Sequence, residues 1–426
     1  VRGWSPERVA AAAGGRLVAA GAGPSGPRRA VVDSRAVAEG DLFVGLPGER
    51  VDGGRFAAQA LAAGAWGVLV APEHAAGLAG GAVIAADDPL AALQRLATAW
   101  RRALDGHVIG VTGSTGKTST KDLLAGMLRP HRRTVATVEN LNTEIGVPLT
   151  ILAAPGDTEV LVLEMAMRGA GQIAELAAIA QPDVAVVVNV GPVHLEILGT
   201  VEAVAAAKAE LIAGLRSGGT AVVPAGEPLL EVHRRADVAW VMFGPGGDVD
   251  DLGDVEIPFD SAHMRRNALA ALAAARAVGV QPRGRVDVQL SARRGQRVEL
   301  AGGAVILNDC YNANPMSMRA ALDELARAPG RRIAVLGDML ELGPDENRYH
   351  EEIGAYARER ADVLVTVGPR AAAMGGDHAV ADAAAAAALV EKLVAAGDTV
   401  LVKASRGVGL EAVAEAAFER RDRTRR

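Results

Sequence analysis

The run Gly110-Val111-Thr112-Gly113-Ser114-Thr115-Gly116-Lys117-Thr118-Ser119-Thr120 follows an apolar stretch and precedes one of helical pattern. A strand feeding a glycine-tight turn and then a helix is the order of a phosphate-binding loop, and it points to an α/β fold. Gly113 and Gly116 let the backbone turn and aim the N–H groups of Ser114 and Thr115 at phosphate oxygens, while the helix start adds its positive dipole end. Lys117 reaches toward the terminal phosphates, Thr118 is placed to ligate a magnesium ion bridging them, and Ser119 completes the loop. Val111 stands where the longer form of the motif has glycine, leaving the shorter Thr-Gly-x-x-Gly-Lys-Thr-Ser pattern. ATP is the expected ligand. The competing reading is a glycine-rich strand-to-helix turn with an incidental lysine, and the motif alone does not say what ATP drives.

A length of 426 residues exceeds one ordinary domain and suggests about three. The apolar runs are broken by Gly, Pro or charge and none reaches the roughly 18 residues of a bilayer span, so no membrane insertion is expected. Val1 to Pro6 has one arginine but no apolar core of a signal peptide behind it, which points to a cytoplasmic enzyme. The single cysteine, Cys310, excludes an internal disulfide and a cysteine-rich zinc site, and reads as a small buried hydrophobe. A net charge of -6 without a basic stripe argues against a nucleic-acid partner. The arginine-rich residues 420–426 read as a solvated tail. Aromatics are only 3%, so the core must be built from Ala, Val and Leu, and the alanine run 381–388 reads as helix.

Three α/β blocks separate by their own strand and helix patterns. The first, 1–104, has a strand after Gly40-Asp41, a helix over 56–63 and a strand over 66–70. The second, 105–285, alternates strands at 107–112, 160–164, 184–189 and 220–224 with helices near 173–180 and 201–216, which implies a parallel sheet covered on both faces. The third, 286–426, restarts with strands at 305–309, 333–337, 363–367 and 399–402 and resembles an independent Rossmann-like unit. Gly279 to Arg285, rich in turn and charged residues, is the expected linker and hinge.

In open parallel sheets ligands lie beyond the C-terminal strand ends, so polar residues there carry weight. Glu164 ends one such strand and could ligate magnesium; His194 follows another and could ligate or simply cap a loop. Lys208 and Glu210 fall on a helix, where spacing alone reads as a solvated face. Asn140-Leu141-Asn142-Thr143-Glu144-Ile145-Gly146 is a polar loop suited to a sugar or phosphate, or an ordinary loop. Asn308-Asp309-Cys310-Tyr311-Asn312-Ala313-Asn314-Pro315 ends a strand and leads into a helix from about Ser317, with turn and cap roles competing with ligand binding. Leu336-Gly337-Asp338-Met339-Leu340-Glu341-Leu342-Gly343 reads the same way.

Together these segments resemble the Mur ligases of peptidoglycan synthesis over nearly the whole chain. Asp33-Ser34-Arg35, Gly40-Asp41-Leu42-Phe43, Leu46-Pro47-Gly48 and Asp52-Gly53 resemble the UDP-sugar-binding domain; Tyr311 to Pro315, Leu336 to Gly343 and Glu164-Met165-Ala166-Met167-Arg168-Gly169 resemble the members that add D-alanyl-D-alanine. The resemblance implies a bacterial ligase joining D-alanyl-D-alanine to UDP-N-acetylmuramoyl-tripeptide, acting as a monomer. It further implies that Lys117 and Thr118 hold the β and γ phosphates and a first magnesium near Glu164, that His194 and a carbamylated Lys208 serve a second, and that Asn267 contacts adenine. Asp309, Asn312 and Asn314 would face the nucleotide. Asp33, Ser34, Arg35, Asn140, Asn142 and Thr143 would hold the UDP-sugar-peptide, with Lys403, Ser405 and Arg406 near the dipeptide.

The chain departs from the family pattern at three places. Met264 stands where an asparagine usually precedes the adenine-binding one, Asp52-Gly53-Gly54 lacks the usual histidine, and 243–263 is short. The implied chemistry is transfer of a phosphoryl group to the peptide carboxylate and attack of the dipeptide amine on the acyl phosphate, with Lys117 and magnesium neutralising charge. The alternatives are a third-residue-adding or folylpolyglutamate-like ligase, and a P-loop switch that binds partners.

Overall fold

The computed structural model of the chain describes residues 1–21, 26–288, 296–300 and 303–415; the arginine-rich 420–426 lie outside the described residues. Among the described residues three large sheets follow one another, with a two-stranded sheet between the second and the third. The N-terminal sheet runs Arg16–Ala19, Ala82–Ala85, Gly67–Val70, Leu42–Val44, Ala30–Val31, with the first strand antiparallel and the rest parallel. The central sheet runs Ala239–Phe243, Thr220–Pro224, Val184–Val187, His107–Thr112, Val160–Glu164, Thr134–Ala136, all parallel. The third runs Gln296–Glu299, Val305–Asn308, Thr399–Lys403, Arg332–Gly337, Val363–Val367, His378–Val380, with its first strand antiparallel. This is the three-unit α/β architecture the alternation predicts.

The central strands are apolar along their length because helices cover both faces. Lys117–Leu128 and Ala262–Ala277 pack together on one face, where Ala268, Ala270, Ala271, Ala273 and Ala274 are buried. Small side chains let the two helices approach closely, which compensates for the shortage of aromatics. Helices Gly146–Ala153, Gln172–Ala180 and Val201–Ala213 cover the other face.

Helix Pro89–Ala103 starts on a proline behind Asp88, whose carboxylate accepts from Ala91 N. It leaves the N-terminal sheet and seats itself on the central unit. Trp100 Nε1 donates to Ala154 O at 3.0 Å, and the Arg101 guanidinium donates to Ala180 O, Gln181 O and the Asp183 carboxylate. Leu93, Leu96 and Trp100 share one core with Val147, Ile151 and Leu176. The first two units are therefore joined through apolar packing. The third keeps cores of its own around Leu322, Leu336 and Ile353 and around Ile306, Val335 and Val400.

Element ends differ from the sequence reading where a cap decides. The helix expected from Ser317 begins at Pro315, because Asn314 accepts from Ser317 N and the Ser317 hydroxyl accepts from Asn314 N. The helix expected over 56–63 is Ala57–Ala62, entered through a 3-10 turn Gly53–Phe56. The helix expected to reach Arg216 ends at Ala213, and the alanine run forms Ala383–Leu393. The expected linker is not free: Gly284–Arg285 pairs in parallel with Val255–Glu256, and Val280 and Val286 are buried in the central core. Gly279 to Arg285 is thus anchored to the central unit. No helix among the described residues is long and apolar enough to cross a membrane.

Candidate active site

The glycine loop turns as its composition requires. Gly116 has φ +77°, a left-handed backbone that favours glycine, and a Cβ there would lie 2.6 Å from Asn267 Oδ1, so that any larger residue would displace the Asn267 side chain. The loop is pinned from the neighbouring strand end: Asn189 Oδ1 accepts from Thr115 N at 2.9 Å, its Nδ2 donates to Thr115 O, and the Ser114 hydroxyl exchanges hydrogen bonds with Gly191 O and N. Lys117 Nζ donates to Gly113 O at 2.7 Å. Asn189 is a residue the motif alone does not reveal; its signal was its place at the end of the strand beside the loop strand.

Thr118 Oγ1 donates to Glu164 Oε2 at 2.8 Å, and Asn142 Nδ2 donates to Glu164 Oε1 at 2.8 Å. All three side chains are buried. Asn142, expected on the sugar-peptide, lines the cavity and orients the carboxylate, while Asn140 and Thr143 are exposed. A hydroxyl and a carboxylate side by side at a sheet's C-terminal end are hard oxygen donors, the set that fits magnesium.

Lys208 corrects the reading of a solvated face. It lies 2% exposed on Val201–Ala213 among Val204, Ala207, Leu211 and Ile212. Burial, with Lys117 nearby, holds its amine well below the ordinary lysine range. Glu210 plays a structural part, accepting from Gly171 N and Ala174 N at 2.6 and 2.9 Å and so capping Gln172–Ala180, whose N-cap glycine offers no side chain. His194 opens the short helix Leu195–Leu198, and its Nδ1 lies 2.5 Å from Glu341 Oε2 of the C-terminal unit. Burial lowers its pKa, against the opposing pull of Glu341.

From the third unit, Lys403 donates to Asp309 Oδ2 at 2.5 Å and to Asn312 O at 2.9 Å. Its charge is engaged in holding the 309–312 loop. Ser405 Oγ accepts from Leu340 N and donates to Ala313 O, and the Arg406 guanidinium lies 5.9 Å from the Tyr311 ring centre. Asn314 is turned into its helix cap, whereas Asn312 is exposed. Cys310 is buried with its Sγ 3.2 Å from Val402 O, as its reading as a small buried hydrophobe expects.

One cavity of about 1450 Å³ gathers these parts. Ser114 to Ser119, Asn140, Asn142, Thr143, Glu164, His194 and Asn267 line it from the central unit, and Asp309, Asn312, Asn314, Lys403, Ser405 and Arg406 from the third. Lys208 is not among the lining residues. Nor are Asp33, Ser34 and Arg35, which form a separate exposed turn where Arg35 grips Asp33 at 2.8–2.9 Å and holds its carboxyl at about 2. Two further titratable groups line the cavity: His263, next to the departure at Met264, whose pKa burial lowers, and Glu324, which no sequence motif marks and whose pKa is raised by burial and by Asp309. A site with a phosphate loop, a carboxylate beside a hydroxyl, and polar groups from a second unit opposite can bind a nucleoside triphosphate and a second substrate at its terminal phosphate.

Comparison with known proteins agrees. Residues 31–101 match the model of the Mur ligase family, catalytic domain; 111–257 match the Mur ligase middle domain; and 293–406 match the Mur ligase, glutamate ligase domain. The UDP-N-acetylmuramoyl-tripeptide--D-alanyl-D-alanine ligase of Bacillus subtilis (strain 168) is 37% identical over 421 residues, covering 91% of this chain and 92% of that protein. The crystal structure of MurF from Acinetobacter baumannii superposes with a TM-score of 0.85 at 29% identity, covering 98% of this chain and 99% of that one. MurF ligase from Thermotoga maritima in complex with ADP gives 0.78 at 33% identity, covering 94% and 99%. The chain belongs to the Mur ligase family.

Proposed function

We propose that the chain is an ATP-dependent ligase that joins D-alanyl-D-alanine to UDP-N-acetylmuramoyl-tripeptide, forming an amide bond with release of ADP and phosphate. The observation that carries this reading is the cavity itself, in which a phosphate-binding loop of one unit faces the polar loops of another. The relatives at 37% identity that carry this activity in their names support the choice of acceptor over a third-residue-adding or folate-type ligase. A P-loop switch has no use for a second polar wall opposite the phosphates.

A carboxylate is a poor electrophile until one of its oxygens becomes part of a leaving group. Phosphoryl transfer from ATP to the tripeptide carboxylate supplies that, and the dipeptide amine then displaces phosphate through a tetrahedral intermediate. Lys117, released from Gly113 O, neutralises charge on the phosphoryl group in flight. Thr118 and Glu164 would hold a magnesium ion, which supplies charge neutralisation at the phosphates. His194 and Lys208 would serve a second ion, Lys208 as its carbamate. The carbamate forms when a neutral amine adds to carbon dioxide and releases one proton, and burial of Lys208 favours that neutral amine. Asn267, beside Gly116 and reaching Met264 Sδ at 3.9 Å, would face the adenine, with Asp309 and Asn312 opposite.

The N-terminal unit, 1–104, would bind the UDP-sugar through Asp33, Ser34 and Arg35, with 105–285 and 286–426 as the ATP-binding and ligase units, in a cytoplasmic monomer. The test is isotopic. Tripeptide labelled with oxygen-18 in its terminal carboxylate should deliver one labelled oxygen to the released phosphate; label left wholly in the peptide would exclude an acyl phosphate.

A further inference from the structure

Among the described residues, four with side chains have positive φ, and two of them, His194 at 54° and Glu341 at 64°, are hydrogen-bonded to each other across the boundary between the central and C-terminal units. A left-handed backbone is unfavourable for residues bearing a Cβ and persists only where the surroundings impose it. Here both strained positions serve one contact. Around it the two units fit closely: Glu196 N donates to Glu341 O at 3.4 Å, and a Cβ on Gly343 would meet the Leu195 backbone at 3.3 Å. Met316 of the C-terminal unit fills the space over Gly191, and Arg168 lies 3.9 Å from the other Glu341 oxygen.

We propose that Glu341 is a positioning residue that seats the His194 imidazole at the phosphate end of the cavity only when the C-terminal unit is docked. A carboxylate 2.5 Å from Nδ1 fixes the proton on that nitrogen and the plane of the ring, leaving Nε2 as the nitrogen with a free lone pair. His194 belongs to the central unit and Glu341 to the loop after the strand Arg332–Gly337, so the ring is oriented only in the docked arrangement. Docking and completion of the site become one event. The activity readout rests on the ligase reading above; the shape and exchange readouts do not.

The test uses the full chain with Glu341→Gly, Glu341→Asn and Glu341→Gln. Glycine and asparagine both accept the left-handed backbone but cannot reach His194, whereas glutamine keeps an oxygen at the same reach. If Glu341 served only the backbone, the glycine variant would equal or exceed the wild type. Instead, Glu341→Gly and Glu341→Asn should lose about tenfold or more in kcat, the loss typical of a residue orienting a ligand group, with the KM for ATP nearly unchanged. With and without a non-hydrolysable ATP analogue, both should show a larger radius of gyration and faster amide exchange over residues 195–198 than the wild type. Glu341→Gln should recover most of both. Wild-type kcat in the glycine and asparagine variants would overturn the proposal, as would a lost kcat with wild-type radius and exchange. Absence of turnover in the wild type would sink the ligase reading while the radius and exchange comparison still decides the role of Glu341.

Discussion

Lys208 shows what spacing along a helix can and cannot tell. A lysine between alanines reads as solvent-facing, yet it is 2% exposed, because the helix Val201–Ala213 is covered on the side that carries it. Its depressed pKa has a sign that can be tested. The unfolded chain binds a proton up to about the ordinary value of 10.5 that the folded site gives up at lower pH, so between those two values stability rises with pH. Lys208→Met removes that penalty. The variant should melt higher than the wild type at neutral pH, with the gap narrowing as pH rises, while its turnover is nearly abolished. A lower melting temperature throughout would mean that the lysine is paired inside. Lys208→Ala should regain turnover when a short-chain carboxylic acid is added, if a carbamate is the working form; wild-type turnover without any acid would remove Lys208 from the site. For Lys117→Ala, turnover measured by phosphate release should fall about a hundredfold or more, since its charge matters most as the phosphoryl group moves. The loop lysine and Glu164 were legible because motif and strand-end position name them. The hydrogen bonds of Asn142 and Lys403 were not, because a polar side chain lining a cavity can bond to ligand or to protein, and here both are bonded to neighbouring side chains.

At the scale of elements, the strands named from the sequence were legible to within a residue or two because both-face burial leaves unbroken apolar runs. Strands such as Arg16–Ala19, Ala82–Ala85, Thr134–Ala136, Ala239–Phe243 and His378–Val380 were not foreseen, and helix starts depended on caps. Asn314 illustrates the ambiguity. Its side chain closes a capping box at Pro315–Leu325, so Asn314→Ala should cost about 1 kcal/mol in urea unfolding. Asn312→Ala, exposed in the same loop, should stay within about 0.5 kcal/mol. Equal costs would mean the cap is not what holds this helix. Gly116 lies at the other extreme, fully specified by its motif. With φ +77° and a Cβ that would displace the Asn267 side chain, Gly116→Ala should weaken ATP binding about tenfold or more by calorimetry; unchanged affinity would show that the loop and Asn267 relax freely.

For the whole molecule, three units were legible from the restarting alternation of strands and helices, but their joints were not. A buried arginine and tryptophan on Pro89–Ala103 weld the first two units, and composition gives no sign that Arg101 points inward, where burial and nearby Arg216 lower its pKa to about 10. The third unit has cores of its own and meets the central unit at the cavity. An account in which that cavity joins a carboxylate to an amine makes turnover depend on both partners at once. The decisive measurement is phosphate release from ATP and magnesium with UDP-N-acetylmuramoyl-tripeptide and D-alanyl-D-alanine added singly and together. Rapid release only with both, matched by formation of the pentapeptide product, is the predicted result. Equally rapid release with ATP alone, or with either substrate omitted, would contradict it.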